Sequence, residues 1–296
     1  MYDIRSFYED EHISAWLSET PTTTGETEVI LKNKLCLLNE REFCNVLLST
    51  KRVADIIKNA IKVKRVALVT TSNEIIKLVP LHGLSNEWKS LVNTKEEFNE
   101  KFPGYISSRN GPRSTNKTLD QMRDQLTQGC HPSMDYTFIG NKGKDSLFGK
   151  IVRGEYEQWR IWEDKCHVAF LTPFGNAPGF TVVVPRCWKP SDIFSLQDND
   201  YVALSAAVFL VSNEIKHSLN IRRVGIIFEG MEVDYAHAKL IPILEDDNNK
   251  IEPEEQDFSN TYDGTVSSKV GPRVALKSLQ DTREAIDVSL RDRKSS

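Results

Sequence analysis

Phe98-Asn99-Glu100-Lys101-Phe102-Pro103-Gly104-Tyr105-Ile106-Ser107-Ser108-Arg109-Asn110-Gly111-Pro112-Arg113 lies over the stretch from Phe258 to Arg273, which ends Thr265-Val266-Ser267-Ser268-Lys269-Val270-Gly271-Pro272-Arg273, at an offset of 160 (273 − 113). Further matches run outward from it in the same order. Tyr8-Glu9-Asp10 lies over Trp162-Glu163-Asp164 at an offset of 154, and Leu38 to Phe43 lies over Leu196 to Tyr201 at 158. Lys77-Leu78-Val79-Pro80 lies over Lys239-Leu240-Ile241-Pro242 at 162. The order is collinear and the offset drifts only through small insertions and deletions, so one domain is present twice. One step is informative: between the matches at 158 and 162 the second copy has four more residues (162 − 158). Val69 to Ile76 in the first copy stands against Ile227 to Ala238 in the second, and the additional stretch contains His237.

A chain of 296 residues accommodates two domains of ordinary size. Hydrophobic residues at 39% and charged residues at 27% describe a soluble globular protein with no apolar run that would span a bilayer. The acidic start from Met1 to Glu11 does not read as a signal peptide. A net charge of −4 and a pI near 5.9 leave no strong case for nucleic acid as a partner, because binding the phosphate backbone calls for a basic face. Five cysteines (Cys36, Cys44, Cys130, Cys166, Cys187) without a Cys-x-x-Cys spacing read as reduced, mostly buried thiols, in a cytoplasmic or nuclear protein.

Two similar α+β domains follow, at 1–113 and 140–273, joined by a polar helical linker at 114–139 and followed by a C-terminal tail at 274–296. In the second, Ser146 to Arg153 opens the domain with a short element. Arg160 to Phe170 and Phe180 to Val184 read as strands around a turn rich in Pro and Gly. Leu204, Val208, Val211, Ile215 and Leu219 recur at helical spacing, which predicts an amphipathic helix over Leu196 to Leu219. Val224 to Phe228 and Ala236 to Ile243 read as two more strands. The first copy repeats these elements at Glu42 to Ile61, Val66 to Val69 and Ile76 to Leu81. Glu245 to Asp257 is an acidic loop, and Arg291 to Ser296 reads as a disordered basic end.

Tyr235, His237 and Lys239 alternate with Ala236 and Ala238. On a strand, residues two apart share a face, so phenol, imidazole and ammonium line up together beside a Glu-Gly turn. Neutral imidazole is a competent nucleophile near pH 7, and a fixed ammonium favours the charge of a phosphoryl transition state without needing a metal. A lone histidine on a strand is ordinarily structural, and so is a lone tyrosine. His82 reads as a structural or interface residue. Cys130-His131 and Cys166-His167 do not have ligand spacing, since neighbours on a strand point to opposite faces.

Phe148-Gly149-Lys150-Ile151-Val152-Arg153-Gly154-Glu155, Trp162-Glu163-Asp164, Ala169 to Phe174, Phe180 to Pro185 and Val224 to Pro242 resemble the histidine triad (HIT) superfamily of nucleotide hydrolases and transferases. The likeness spans the second copy and, weakly, the first. It is nearest to a bacterial-type variety with a His-x-His-Ala-Lys motif, in which Lys stands at the third triad position as Lys239 does here. The resemblance implies two tandem HIT-like domains, each an antiparallel sheet with an amphipathic helix, arranged as an intrachain pseudo-dimer; further homo-oligomers remain open. It implies a nucleotidyl substrate, of the dinucleoside polyphosphate or nucleoside phosphoramidate type, processed through a nucleotidyl-histidine intermediate on His237. Lys239 would contact the phosphate, and Tyr235 stands in for the first triad histidine. Leu147, Phe148, Ile151 and Phe170 match positions that wall the base pocket, and Thr172 takes the place of a ribose-binding carboxylate. Neither a cofactor nor a metal is implied. The substitution at Tyr235 supports an alternative, a catalytically impaired nucleotide-binding pseudoenzyme with a sensing or scaffolding role.

Overall fold

The computed structural model describes residues 4–140, 146–245 and 255–295, so most of the acidic loop lies outside the described residues. The first half contributes β1 (Ser6–Glu9), β2 (Ile13–Leu17), β3 (Thr27–Leu31), α1 (Glu40–Ile61), β4 (Arg65–Thr70) and β5 (Ile75–Leu81), and α2 (Asn116–Leu126) follows them. The second opens with α3 (Leu147–Val152) and continues with β6 (Trp159–Glu163), β7 (His167–Leu171), β8 (Thr181–Pro185), α4 (Asp198–Leu219), β9 (Val224–Phe228) and β10 (Ala238–Pro242). The chain then ends in α5 (Leu276–Ser295). The expected single strand from Arg160 to Phe170 is instead a hairpin, turned by Asp164, whose carboxylate accepts from the backbone N–H of Cys166 and His167.

All ten strands join one antiparallel sheet in the order β1-β2-β3-β5-β4-β9-β10-β8-β7-β6. Each half supplies five strands in the same order, so the sheet is symmetric about its centre. At that centre Val69 pairs with Ile227, its own counterpart at an offset of 158. The same exchange recurs above the sheet, where Ser107 bridges Ser267, again its counterpart. Ser108 N–H donates to Val266 O and Ser268 N–H to Ile106 O, both at 2.9 Å. The architecture is therefore α+β, with two repeats related by an intrachain twofold.

Helices α1 and α4 are 22 residues each and lie side by side on one face of the sheet. The Asn39–Glu42 capping box starts α1, and both helices end at a left-handed residue, Lys62 and Asn220. Between helices and sheet, Phe43, Leu47, Ile57, Leu204, Val208 and Ile215 pack on Leu68, Leu78, Ile226 and Leu240. Two helical faces at apolar spacing thus meet alternate residues of the strands. The other face holds Val69, Phe148, Phe170, Val182, Ile227, Tyr235 and Tyr262 and is roofed by the segments after β5 and β10. This is the face on which the candidate site lies.

The roof segments cross over. Gly111 N–H donates to Phe174 O in the second half, and Gly271 N–H to Thr20 O in the first, both at 2.8 Å. A Cβ on Gly111 would sit 2.2 Å from Gly175 O, and one on Gly271 2.0 Å from Pro21 O. This contact explains the repeated Gly-Pro-Arg, since only glycine lets the two backbones approach that closely. Beyond it, α2 packs on α4 and β6 of the second half, and α5 packs on α1 and β1 of the first. Of the terminal residues expected to be disordered, Arg291 to Ser295 belong instead to α5, and Ser296 lies outside the described residues; earlier in α5, Leu279 and Ile286 join Leu17 and Ile56 in a small core. Against the expectation of mostly buried thiols, Cys44 alone is buried, Cys187 is intermediate, and Cys36, Cys130 and Cys166 are exposed, on a short 3-10 turn, a loop and the β6–β7 turn.

Candidate active site around His237

The additional residues of the second copy form the loop from Glu229 to His237 between β9 and β10. Gly230 sets its course at φ 75°, with Ser191 O 2.1 Å from where a Cβ would be. β10 begins only at Ala238, so Tyr235 and His237 precede the strand instead of lying on it. The alternation nevertheless holds. Ala236 and Ala238 pack toward the helices, while Tyr235 packs on the opposite face, where Lys239 also points. Ala236 N–H donates to Lys189 O at 2.9 Å, which extends the strand-like course backward.

His237 is 1% exposed. Its Nδ1 lies 2.7 Å from Tyr235 O. A carbonyl only accepts, so Nδ1 carries the proton and Nε2 carries the lone pair. Burial pulls the imidazole down to about 4, helped by the Lys239 charge, so it is neutral at physiological pH. The Phe148 ring of α3 stands edge-on to it at 5.1 Å and also meets Phe170 at 5.8 Å. Tyr235 is fully buried and donates from its hydroxyl to Pro185 O at 2.7 Å. Burial raises its phenol far above the ordinary range. Tyr235 therefore holds the loop to β8 and presents its carbonyl to His237.

Lys239 sits in a cage. Its ammonium donates to Ser108 O at 3.1 Å and to Glu229 Oε2 at 3.2 Å, with Glu232 Oε2 at 3.3 Å. An ammonium has three protons, and three acceptors take them. Burial lowers its pKa, but the charges of Glu229 and then Glu232 outweigh that, and the net direction is upward. Glu232 is conversely pushed up by burial and drawn down further by Lys239 and by the hydrogen bond from Asn110 Nδ2 at 3.2 Å. Glu229 also accepts from the hydroxyls of Tyr262 at 2.6 Å and Ser108 at 2.7 Å. The cluster thus draws on the first half's roof through Ser108 and Asn110, on the second half's roof through Tyr262, and on the loop itself.

The base-pocket expectations divide. Phe148, Ile151 and Phe170 are gathered against the site, whereas Leu147 is 48% exposed on the outer side of α3. Thr172 hydroxyl accepts from Phe174 N–H at 3.3 Å and serves the turn after β7. Glu232, Ser108, Asn110 and Tyr262 do not stand out in the sequence, and Glu229 enters it only as part of the Glu-Gly turn. The signal for Ser108 lay in the repeated Ser-Ser of the roof segments, since a paired feature on a twofold has to face its equivalent. Arg113 donates to Ser114 O and Asn116 Oδ1 at 3.2 and 3.1 Å, well outside this cluster. His82 Nε2 lies 2.9 Å from Thr24 O and ties two loops of the first half together.

No family model matches the chain. Among solved structures it is similar to a Hit-like protein involved in cell-cycle regulation from Bartonella henselae, at 18% identity over 51% of this chain and 99% of that one, with a TM-score of 0.33. A galt-like protein from Arabidopsis thaliana matches at 10% identity over 79% of this chain and 75% of its own, with a TM-score of 0.46. Yeast Ap4A phosphorylase, solved in complex with AMP, matches at 10% identity over 96% of this chain and 73% of its own, with a TM-score of 0.33. No helix among the described residues is long and apolar enough to cross a membrane.

Proposed function

We propose that this chain is a tandem histidine triad protein that processes a nucleotidyl substrate in its second half, with His237 as the nucleophile. The observation that carries this reading is the tautomer. With Nδ1–H held by Tyr235 O, Nε2 is the basic nitrogen of a neutral imidazole, the form that attacks phosphorus. Attack forms an Nε2–P bond at the α-phosphate as the bond to the leaving group breaks, the electron pair and then a proton going to that group. The imidazole becomes cationic, and Tyr235 O, already accepting from Nδ1–H, stabilises the added charge. Water then cleaves the N–P bond and releases the mononucleotide. In this reading 140–273 carries the site and 1–113 is its degenerate partner. Phe148, Ile151 and Phe170 face the base, and the phosphate takes the place of Glu232, which at 32% side-chain exposure is the accessible acid against Lys239.

One observation favours a second reading, a nucleotide-binding pseudoenzyme. All three protons of Lys239 are engaged within the protein, and an anion that meets this lysine also meets two carboxylates. One experiment separates the two. The protein is incubated with a dinucleoside polyphosphate labelled at the α-phosphate, quenched under denaturing alkaline conditions and mapped by mass spectrometry. A mononucleotide adduct on His237, with turnover lost on the order of a thousandfold in His237→Ala, supports the enzyme. Nucleotide binding with neither adduct nor product makes it a pseudoenzyme.

A further inference from the structure

Two equivalent places on either side of the twofold differ in their charges, and one difference lies beside a lysine common to both. In the first, the end of α1 meets the short 3-10 turn Ile193–Ser195, and Lys58 Nζ lies 2.9 Å from the carboxylate of Asp192, the residue that begins that turn. In the second, the end of α4 meets the turn Leu35–Leu37. At an offset of 158, Lys58 becomes Lys216 and Asp192 becomes Lys34. Lys34 turns away and pairs with Glu74 at 2.8 Å. The lysine has been kept on α4, and its carboxylate has been replaced by a second cation.

A cavity of about 50 Å³ occupies this place. A single water needs roughly 10–15 Å³ of such space, so the cavity suits a small group of several atoms. Phe43, Phe209 and Ile226 give it an apolar floor, and Lys216 and Arg222 stand at its side. The Ser212 hydroxyl also lines it, is 8% exposed as a residue, and has no hydrogen-bond partner among the described residues. Nor does any described carboxylate lie within ion-pair distance of Lys216. Burial draws the Lys216 pKa down, as expected of an ammonium that has lost water without gaining an anion. The ammonium is half-buried and has solvent for a partner, and the buried hydroxyl beside the same cavity is costly unless something meets it.

The geometry points to a binding site for a small organic carboxylate. Its oxygens take the position against Lys216 that Asp192 takes against Lys58, and Ser212 donates the second hydrogen bond. A short alkyl stem lies on Phe43, Phe209 and Ile226. This site is formed by the helical face of the molecule, on the side of the sheet away from His237. It stands independently of the nucleotide reading.

The test is calorimetric titration of the full chain with propionate and, separately, with inorganic phosphate, with ionic strength held constant by chloride. Propionate is expected to bind saturably, and phosphate more weakly because it sets polar oxygens against Phe43, Phe209 and Ile226, where propionate sets its alkyl stem. Lys216→Gln should weaken propionate at least about tenfold, as loss of a charge-assisted hydrogen bond does. Lys34→Asp, an exposed change that restores the internal carboxylate of the other half, should abolish binding while raising the melting temperature. The assignment is overturned if propionate does no more than chloride, if phosphate binds and propionate does not, or if both variants bind propionate like the parent.

Discussion

Lys239 and Lys77 occupy equivalent places, yet only one of them has a histidine beside it. Lys77 is 3% exposed and pairs with Glu26 Oε1 at 3.1 Å, and its ammonium also donates to Lys269 O in the other half's roof. A lysine kept in the copy without a nucleophile has a use that is not chemical. In both halves the ammonium closes a buried ion pair and also donates to a carbonyl of the other half's roof. Breaking such a pair leaves an uncompensated carboxylate, which costs about 3–5 kcal/mol. Lys77→Met and Lys239→Met should each lower stability by that order in urea denaturation, and equal loss at both would mark the pair as structural. His237 behaves differently with pH. Its folded pKa near 4 lies below the ordinary 6.5, so the folded state binds fewer protons than the unfolded one in that window. Its contribution to stability is complete above pH 6.5 and declines as pH falls toward 4. Denaturation midpoints should therefore drop across that interval, and His237→Gln should flatten the drop. A variant with the same slope as the parent would remove His237 as its source.

At the scale of elements, the roof segments carry the least legible part of the fold. The repeat made the strands and long helices readable, because periods of two and about four residues distinguish a half-buried strand from an amphipathic helix. Those patterns say which face is buried but not against which half. The alignment of Lys117, Leu119, Arg123 and Leu126 with Lys277, Leu279, Arg283 and Ile286 extends the repeat into α2 and α5, and that equivalence was readable at the same offset of 160. Read by composition instead, one helix looked like a linker and the other like a loose end. The acids around Lys239 were harder to foresee, since same-face alternation on one strand does not reveal what a crossing segment brings to it. Ile286 is fully buried against the first half, so Ile286→Ala should cost about 2–4 kcal/mol in urea denaturation. A change under 0.5 kcal/mol would show α5 to be undocked. Trp88 and Arg113 separate the same way. Trp88 Nε1 donates to Gly230 O at 3.1 Å, and Leu91 N–H to Met231 O at 3.0 Å, so this stretch clamps the loop that carries His237. Trp88→Ala should lower nucleotide affinity or turnover severalfold, whereas Arg113→Ala should leave both unchanged.

For the whole molecule, duplication has turned what would be contacts between subunits into contacts within one chain. The central strands β4 and β9 each protect the other's edge, which in a lone half would expose unpaired backbone groups. The crossed roofs add a second bond of the same kind, because each half depends on the other's Ser-Ser segment and on the other's terminal helix. Once both copies are covalently joined, only one has to keep an intact loop between its last two strands. The other can shorten its hairpin without losing its place in the sheet, provided its roof still reaches across. This accounts for a first copy that lacks a counterpart to His237 yet keeps Ile106 to Ser108 and Gly111 in full, the residues that contact the second half. It follows that the halves should not be separable. Fragments 1–139 and 140–296, expressed apart, should be insoluble or expanded, and should regain a cooperative unfolding transition only when refolded together. Size-exclusion chromatography and thermal unfolding of the mixture read this directly. A monomeric 140–296 fragment that binds nucleotide and unfolds cooperatively on its own would show that neither the shared sheet nor the crossed roof is needed, and that the first copy is dispensable.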